Sequence, residues 1–215
     1  MRLILVWCRR FCWLALPAIA LGLLSLSGTY LYLSPRLPSV EVLRDIKLQE
    51  PLRVFSKDGK LMGEFGEMRR TPVHYDQVPP ALIQAILAAE DDRFLQHHGI
   101  DLTGLARAAW ELATTHSIQS GGSTITMQVA RNYFLSRDQT FVRKFNEILL
   151  ALRIERELDK HQILELYLNK IFLGYRAYGV EAAAQVYYGR PIAELSLDET
   201  ALIAGLPKAP SVLNP

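Results

Sequence analysis

A mainly α-helical domain, preceded by one transmembrane helix and a small β-hairpin, is the fold class this sequence predicts. Three observations carry it: an uncharged apolar run near the N-terminus, an Asp-Gly turn signal between two alternating segments, and helical periodicity with caps from Pro79 onward.

In chain order, residues 1–10 form a short tail holding Arg2, Arg9 and Arg10. Phe11 to Leu33 then runs 23 residues without a charge. At a helical rise of about 1.5 Å per residue this covers roughly 34 Å, enough for a bilayer core, so 11–33 reads as a transmembrane helix. The arginines put the tail in the cytoplasm and everything after Leu33 outside. The rival is a cleaved signal peptide with Ser25-Leu26-Ser27 as its site, but apolar Tyr30 to Leu33 continues past it and favours a retained anchor. Cys8 and Cys12 are the only cysteines, so no disulfide or thiolate zinc site can form beyond them.

Residues 34–74 form a linker with a hairpin. Proline-punctuated S-P-R-L-P is followed by P-L-R-V-F-S-K-D-G-K-L-M-G-E-F-G, and Asp58-Gly59 sets strands over 52–57 and 60–65. From Pro79 the period is helical, with helices near 80–94, 101–115, 123–135, 139–158, 160–173, 179–188 and 197–205. Pro80 suits a first turn, Asp101 and Asp159 suit caps, and Ser196 with Glu199 makes a capping box. Gly189 and Gly205 mark stops.

Removing the three N-terminal arginines from 24 basic residues leaves 21 against 22 acidic ones. That balance excludes a global basic field for nucleic acid.

Two acids fall where apolar residues belong. Ile83, Ile86, Leu87, Glu90 and Phe94 share one helical stripe, whereas Asp91 lies at its edge and Asp92 opposite. A carboxylate among such neighbours loses hydration, which raises its pKa and suits it to accept a proton. The bland alternative is an exposed Glu90, or one neutralised by an arginine. In R-K-F-N-E-I-L-L-A-L-R-I-E, residues 143–155, Glu147 lies on the face of Leu150, Ala151 and Ile154, with Arg143 one turn before it and Lys144 in reach. That helix, apolar on two sides, reads as the central one. Glu155 reads as a structural core acid.

Between them, G-G-S-T-I-T-M-Q-V-A-R-N, residues 121–132, places a close-approach loop before a helix start. From Gly121 to Lys144, Arg131, Arg137, Arg143 and Lys144 face only Asp138. Such a strip suits a phosphate or diphosphate; a solvated basic face is the alternative.

These stretches, with E-D-D-R-F-L-Q-H-H-G (90–99), K-H-Q-I-L-E-L-Y-L-N-K-I-F-L-G (160–174) and R-A-Y-G-V-E-A-A-A-Q-V-Y-Y-G (176–189), resemble in order the five motifs of the family 51 peptidoglycan glycosyltransferases. The likeness covers residues 75–215 and extends to the N-terminal part of the Gram-negative class A penicillin-binding proteins. It implies a lysozyme-like domain with head and jaw lobes, with Ile100 to Ile118 in the jaw, part of it able to touch lipid. It also implies polymerisation of lipid II onto a growing glycan strand, with inversion and loss of polyprenyl diphosphate. The site would be periplasmic, on a single-pass inner-membrane anchor, with cell-wall synthesis proteins as further partners.

Carried over by the resemblance, Glu90 is the catalytic base and Glu147 the second, assisting acid. Asp91, Ser123, Thr124, Gln128, Arg131, Arg143 and Lys144 fall on substrate-binding positions. Arg131 stands where many members carry lysine, and Met127 replaces a frequent glutamine. No cofactor is required, although a divalent cation, Mg or Mn, could bridge diphosphate and acid. His97 and His98 read as hydrogen-bonding residues of the motif loop and not as metal ligands. No S-x-x-K, S-x-N or K-T-G occurs, so a transpeptidase domain is expected to be absent. The alternatives are a lysozyme-like lytic glycosidase and a non-catalytic membrane-anchored scaffold.

Overall fold

The computed structural model describes residues 17, 20–25, 27–46, 48, 49, 51–115, 122–136 and 140–214. The chain divides into two units, Met1–Pro38 and Ser39–Pro215.

In the first unit the described residues from 17 to 33 are helical, and a 3-10 turn, Ser34–Arg36, follows. The Arg36 guanidinium sits 3.8 Å from the centroid of the Tyr32 ring. Among the described residues no helix is long and apolar enough to cross a membrane. The span predicted over 11–33 includes 11–16, 18, 19 and 26, which lie outside the described set.

In the second unit a 3-10 turn, Glu41–Leu43, precedes strands β1 (Leu52–Phe55) and β2 (Leu61–Phe65), which pair antiparallel with a register shift between Val54 and Phe55. Gly59 takes φ +78° in the connecting turn, a left-handed conformation that Asp-Gly turns select. Among the described residues seven α-helices follow: α1 (Pro80–Glu90), α2 (Leu102–Thr115), α3 (Ile125–Phe134), α4 (Phe141–Glu157), α5 (Lys160–Lys170), α6 (Val180–Tyr188) and α7 (Leu197–Gly205).

Local chemistry sets most of the helix starts. The Thr124 hydroxyl accepts from the Met127 N–H at 3.2 Å, and Thr140 accepts from Arg143 N–H at 3.1 Å. Asp159 accepts from Gln162 N–H while the Gln162 side chain takes the Asp159 N–H, a reciprocal pair that satisfies two otherwise orphaned donors. At α7, Glu199 takes the Ser196 N–H at 2.8 Å.

The core is built around α3, which packs against both α4 and α5, while α1 packs on α7. Ile125, Met127, Val129 and Ala130 of α3 are buried with Leu150 and Ile154 of α4 and Ile163, Leu164 and Leu168 of α5. Each large aliphatic side chain there contributes roughly 1.5–3 kcal/mol by leaving water. The sequence pattern pointed to α4 as the central helix; its buried residues are Glu147, Leu149, Leu150, Ala151 and Ile154. Phe141 on the other side is 97% exposed.

A glycine links the core to α6. Gly179, at φ +91° and ψ 157°, would bring a Cβ to 3.1 Å from the carbonyl oxygens of both Leu168 and Asn169. Gly179→Ala is therefore expected to cost about 1–3 kcal/mol, read as a lower denaturant midpoint with an unchanged slope.

Candidate active site

Helix α1 ends at Glu90, four residues before the predicted end, because Asp91 turns out of the helix at φ −162° and ψ 77°. Its carboxylate is pulled into the protein. One oxygen accepts the Ile125 N–H at 2.9 Å, and both lie 3.0 Å from His97 Nε2. An ionised carboxylate only accepts, so Nε2–H donates to it. Ile125 is the first residue of α3, where the N–H is free and the helix dipole favours a negative partner.

The early stop changes the helical-wheel reading of the three acids. The fully buried positions of α1 are Ile86, which belongs to the predicted stripe, and Leu82, one place before its first member, and the buried acid is Asp91 at 8% exposure. Glu90 is half-buried. Asp92, expected to point away, lies beyond the helix and lines the same groove as Glu90.

That groove encloses ≈ 630 Å³. Glu90, Asp91, Ser123, Gln128 and Arg131 line it, together with Arg107 of α2 and Lys208 after α7. Gln128 Nε2 donates to Glu90 Oε2 at 2.7 Å, which fixes the carboxylate against α3. Tyr167 is buried, and its hydroxyl has no hydrogen-bond partner among the described residues. Burial, then the nearby Glu90 carboxylate, pushes that hydroxyl well above its ordinary pKa, so it stays neutral.

Thr124 is 3% exposed and anchors the loop, donating to Gly99 O at 2.7 Å while capping α3. Lys144 Nζ reaches Ser123 Oγ at 2.6 Å and Glu147 Oε2 at 3.1 Å. Arg143 Nη1 holds the other Glu147 oxygen. Glu147 is 1% exposed, its two oxygens taken by two cations, so any influence on a bound group passes through them. Arg143 also lines a second pocket, which shares Arg131 with the groove. Ser123 and Arg131 thus connect the groove to the cationic strip.

Glu155 accepts from Thr126 Oγ1 at 2.6 Å and from Lys160 Nζ at 2.7 Å. Lys160 also donates to His97 O at 2.7 Å, tying α5 to the motif loop. This is a structural network. Arg107 and Lys208 escaped the sequence reading because each is a lone cation in a largely apolar stretch, L-A-R-A-A-W and G-L-P-K-A-P.

Among the described residues no group of three or more His, Cys, Asp or Glu could hold a metal ion. Glu147, the acid beside the basic strip, already has a cation on each oxygen. The residues therefore do not fit a divalent ion bound by protein ligands.

A helical domain that sets a half-buried carboxylate in a groove walled by cations is one of the arrangements used in glycosyl transfer. The family model described as Transglycosylase matches residues 58–215, and the chain belongs to that family. Penicillin-binding protein 1A of Pseudomonas aeruginosa is 62% identical over 207 residues, covering 96% of this chain and 25% of that protein. Its counterpart in Escherichia coli is 54% identical over 202 residues, covering 94% and 24%. The chain therefore spans about a quarter of the length of the curated relatives it matches. Among solved structures, penicillin-binding protein 1A from Haemophilus influenzae aligns at 36% identity over 79% of this chain and 16% of that chain. The TM-score of that alignment is 0.39.

Proposed function

We propose that this chain is a peptidoglycan glycosyltransferase that polymerises lipid II, with Glu90 as general base. The observation that carries this reading is the Glu90 carboxylate, oriented by Gln128 in a groove that Ser123 and Arg131 also line. Glu90 takes the proton from the acceptor's 4-hydroxyl, and that oxygen forms the new bond to the donor's anomeric carbon. The bond from that carbon to the diphosphate breaks on the opposite face, giving inversion. Negative charge grows on the departing diphosphate, where Arg131, Arg143 and Lys144 receive it. Glu147 assists by orienting Arg143 and Lys144, and Asp91 and Thr124 hold the groove wall in register.

Membrane attachment belongs to the same reading. The uncharged run from Phe11 to Leu33 supports a single-pass anchor with the site on the periplasmic side. Exposed Leu102, Trp110 and Leu112 on α2 support contact between the jaw and lipid. A lytic glycosidase would also use a buried acid, but it has no diphosphate to receive, and the basic strip favours the synthase. Incubating the detergent-solubilised chain with labelled lipid II separates the two: growth of glycan polymer is expected, and degradation of preformed glycan without growth overturns the proposal.

A further inference from the structure

Two pockets adjoin where β1 meets α6, and no described residue lines both the Glu90 groove and either of them. One, of ≈ 420 Å³, has Arg53 and Phe55 of β1 on its wall; the other, of ≈ 550 Å³, has Tyr175, Arg176 and Tyr187. Arg69 and Val186 line both, so the two form one cleft. Among the described residues no carboxylate lines it. Basic and acidic residues nearly balance beyond residue 33, and this local excess of arginine is therefore made by the fold.

Two of these arginines keep their charge open. Arg69 is exposed, and its side chain has no hydrogen-bond or ion-pair partner among the described residues. Arg176 donates its Nε–H to Glu67 O at 2.7 Å and an Nη2–H to Gly66 O, backbone carbonyls that carry no net charge.

The loop between the two pockets is strained. Tyr175 and Arg176 take φ +40° and +64°, a left-handed backbone that disfavours any side chain, directly after Gly174 at +92°. Residues 66–69 hold it there: besides the Arg176 bonds, the Arg69 N–H donates to Arg176 O at 2.9 Å and the Tyr178 N–H to Arg69 O at 2.9 Å. The strain is not offset by burial of the ring it places. Tyr175 remains 62% exposed, edge-on to Tyr187 at 6.1 Å, and Phe55 in the adjoining pocket is 56% exposed. Exposed aromatic rings beside arginine are the composition of a protein interface, and arginines without acids among them select a partner that brings carboxylates.

We propose that this cleft docks an acidic, aromatic-bearing segment of another protein, with Arg69 and Arg176 receiving its carboxylates and Phe55, Tyr175 and Tyr187 packing against its apolar side chains. The site is independent of the glycosyltransferase reading, because it uses none of the groove residues.

Fluorescence anisotropy of the detergent-solubilised chain tests this with three probes: a labelled decapeptide of alternating glutamate and tyrosine, its glutamine–tyrosine counterpart, and inorganic polyphosphate of matched charge. The acidic peptide is expected to bind, and the glutamine peptide about tenfold or more weakly, because its carboxylates are gone. Arg69→Glu should weaken the acidic peptide about tenfold or more, and Tyr175→Asn by a similar factor. Asparagine tolerates the left-handed backbone, so that variant keeps the loop and removes the ring. Arg156→Glu, at an exposed position of α4, should bind the peptide as wild type does. Arg69→Glu alters a side chain that bonds nothing, and its thermal midpoint and its rate of lipid II polymerisation should both match wild type. Failure here and failure of the Glu90 mechanism are thereby distinguishable. Absence of acidic-peptide binding, or equal binding by Arg69→Glu, overturns the proposal. So does displacement of the peptide by polyphosphate with no effect of Tyr175→Asn, which would make the cleft a general polyanion patch.

Discussion

Glu90→Gln is expected to lower the rate of lipid II polymerisation by about 10²–10⁴-fold while leaving the fold intact. Glutamine has the shape of glutamate, and its side-chain oxygen can still accept the Gln128 Nε2–H that now holds Glu90 at 2.7 Å. What it cannot do is take a proton from a sugar hydroxyl. The thermal midpoint should therefore match wild type, and the loss should fall on the chemical step, visible as lower kcat with little change in KM. Gel analysis of labelled product over time makes the measurement. Wild-type polymer from Glu90→Gln would sink the proposed mechanism and favour the scaffold reading.

Glu147→Ala should produce the largest loss of stability of any single change near the site. Its carboxylate is 1% exposed and is held by Arg143, itself 17% exposed, and by Lys144. Removing the acid leaves a guanidinium and an ammonium facing each other without an anion between them, and breaking a buried pair in this way costs about 3–5 kcal/mol. The exposed pair of Arg44 and Glu157, at 55% and 39%, should contribute no more than about 1 kcal/mol when Arg44 is truncated. Thermal or denaturant unfolding of the two variants compares them directly. A double-mutant cycle over Arg143 and Glu147 should show coupling of roughly 1–3 kcal/mol, and strict additivity would show that the two do not act together. Activity of Glu147→Ala should fall too, because Lys144 loses the partner that aims it at Ser123.

Much of this was legible in the chain because it follows from neighbours in sequence. The Asp58-Gly59 turn, the caps at Asp159 and Ser196 and the Arg143–Glu147 pair are all set by residues within four positions of one another. Glu90 stood out as an acid among apolar residues, and its contact with Gln128 explains how it is held. The depth of Asp91 was not legible. Its place in the core comes from bonds to His97 and to Ile125, 34 positions away, and those bonds also end α1 early. The second pocket was harder still, because Arg70 lies outside the recognised stretches, Lys170 is one unremarked cation within the 160–174 stretch, and the two meet only through the packing of several elements. Spacing rules reach one helix turn; they cannot find side chains brought together by the fold.

The Asp91 carboxylate has one more consequence. It grips the first amide of α3 immediately after the chain leaves α1, so the ends of two helices are clamped as if by a single rivet. In the proposed reaction, the proton acceptor sits at one of those ends and the surface that receives the leaving group begins at the other. Their separation is thus set during folding, before any sugar arrives, and none of a substrate's association energy goes into gathering them.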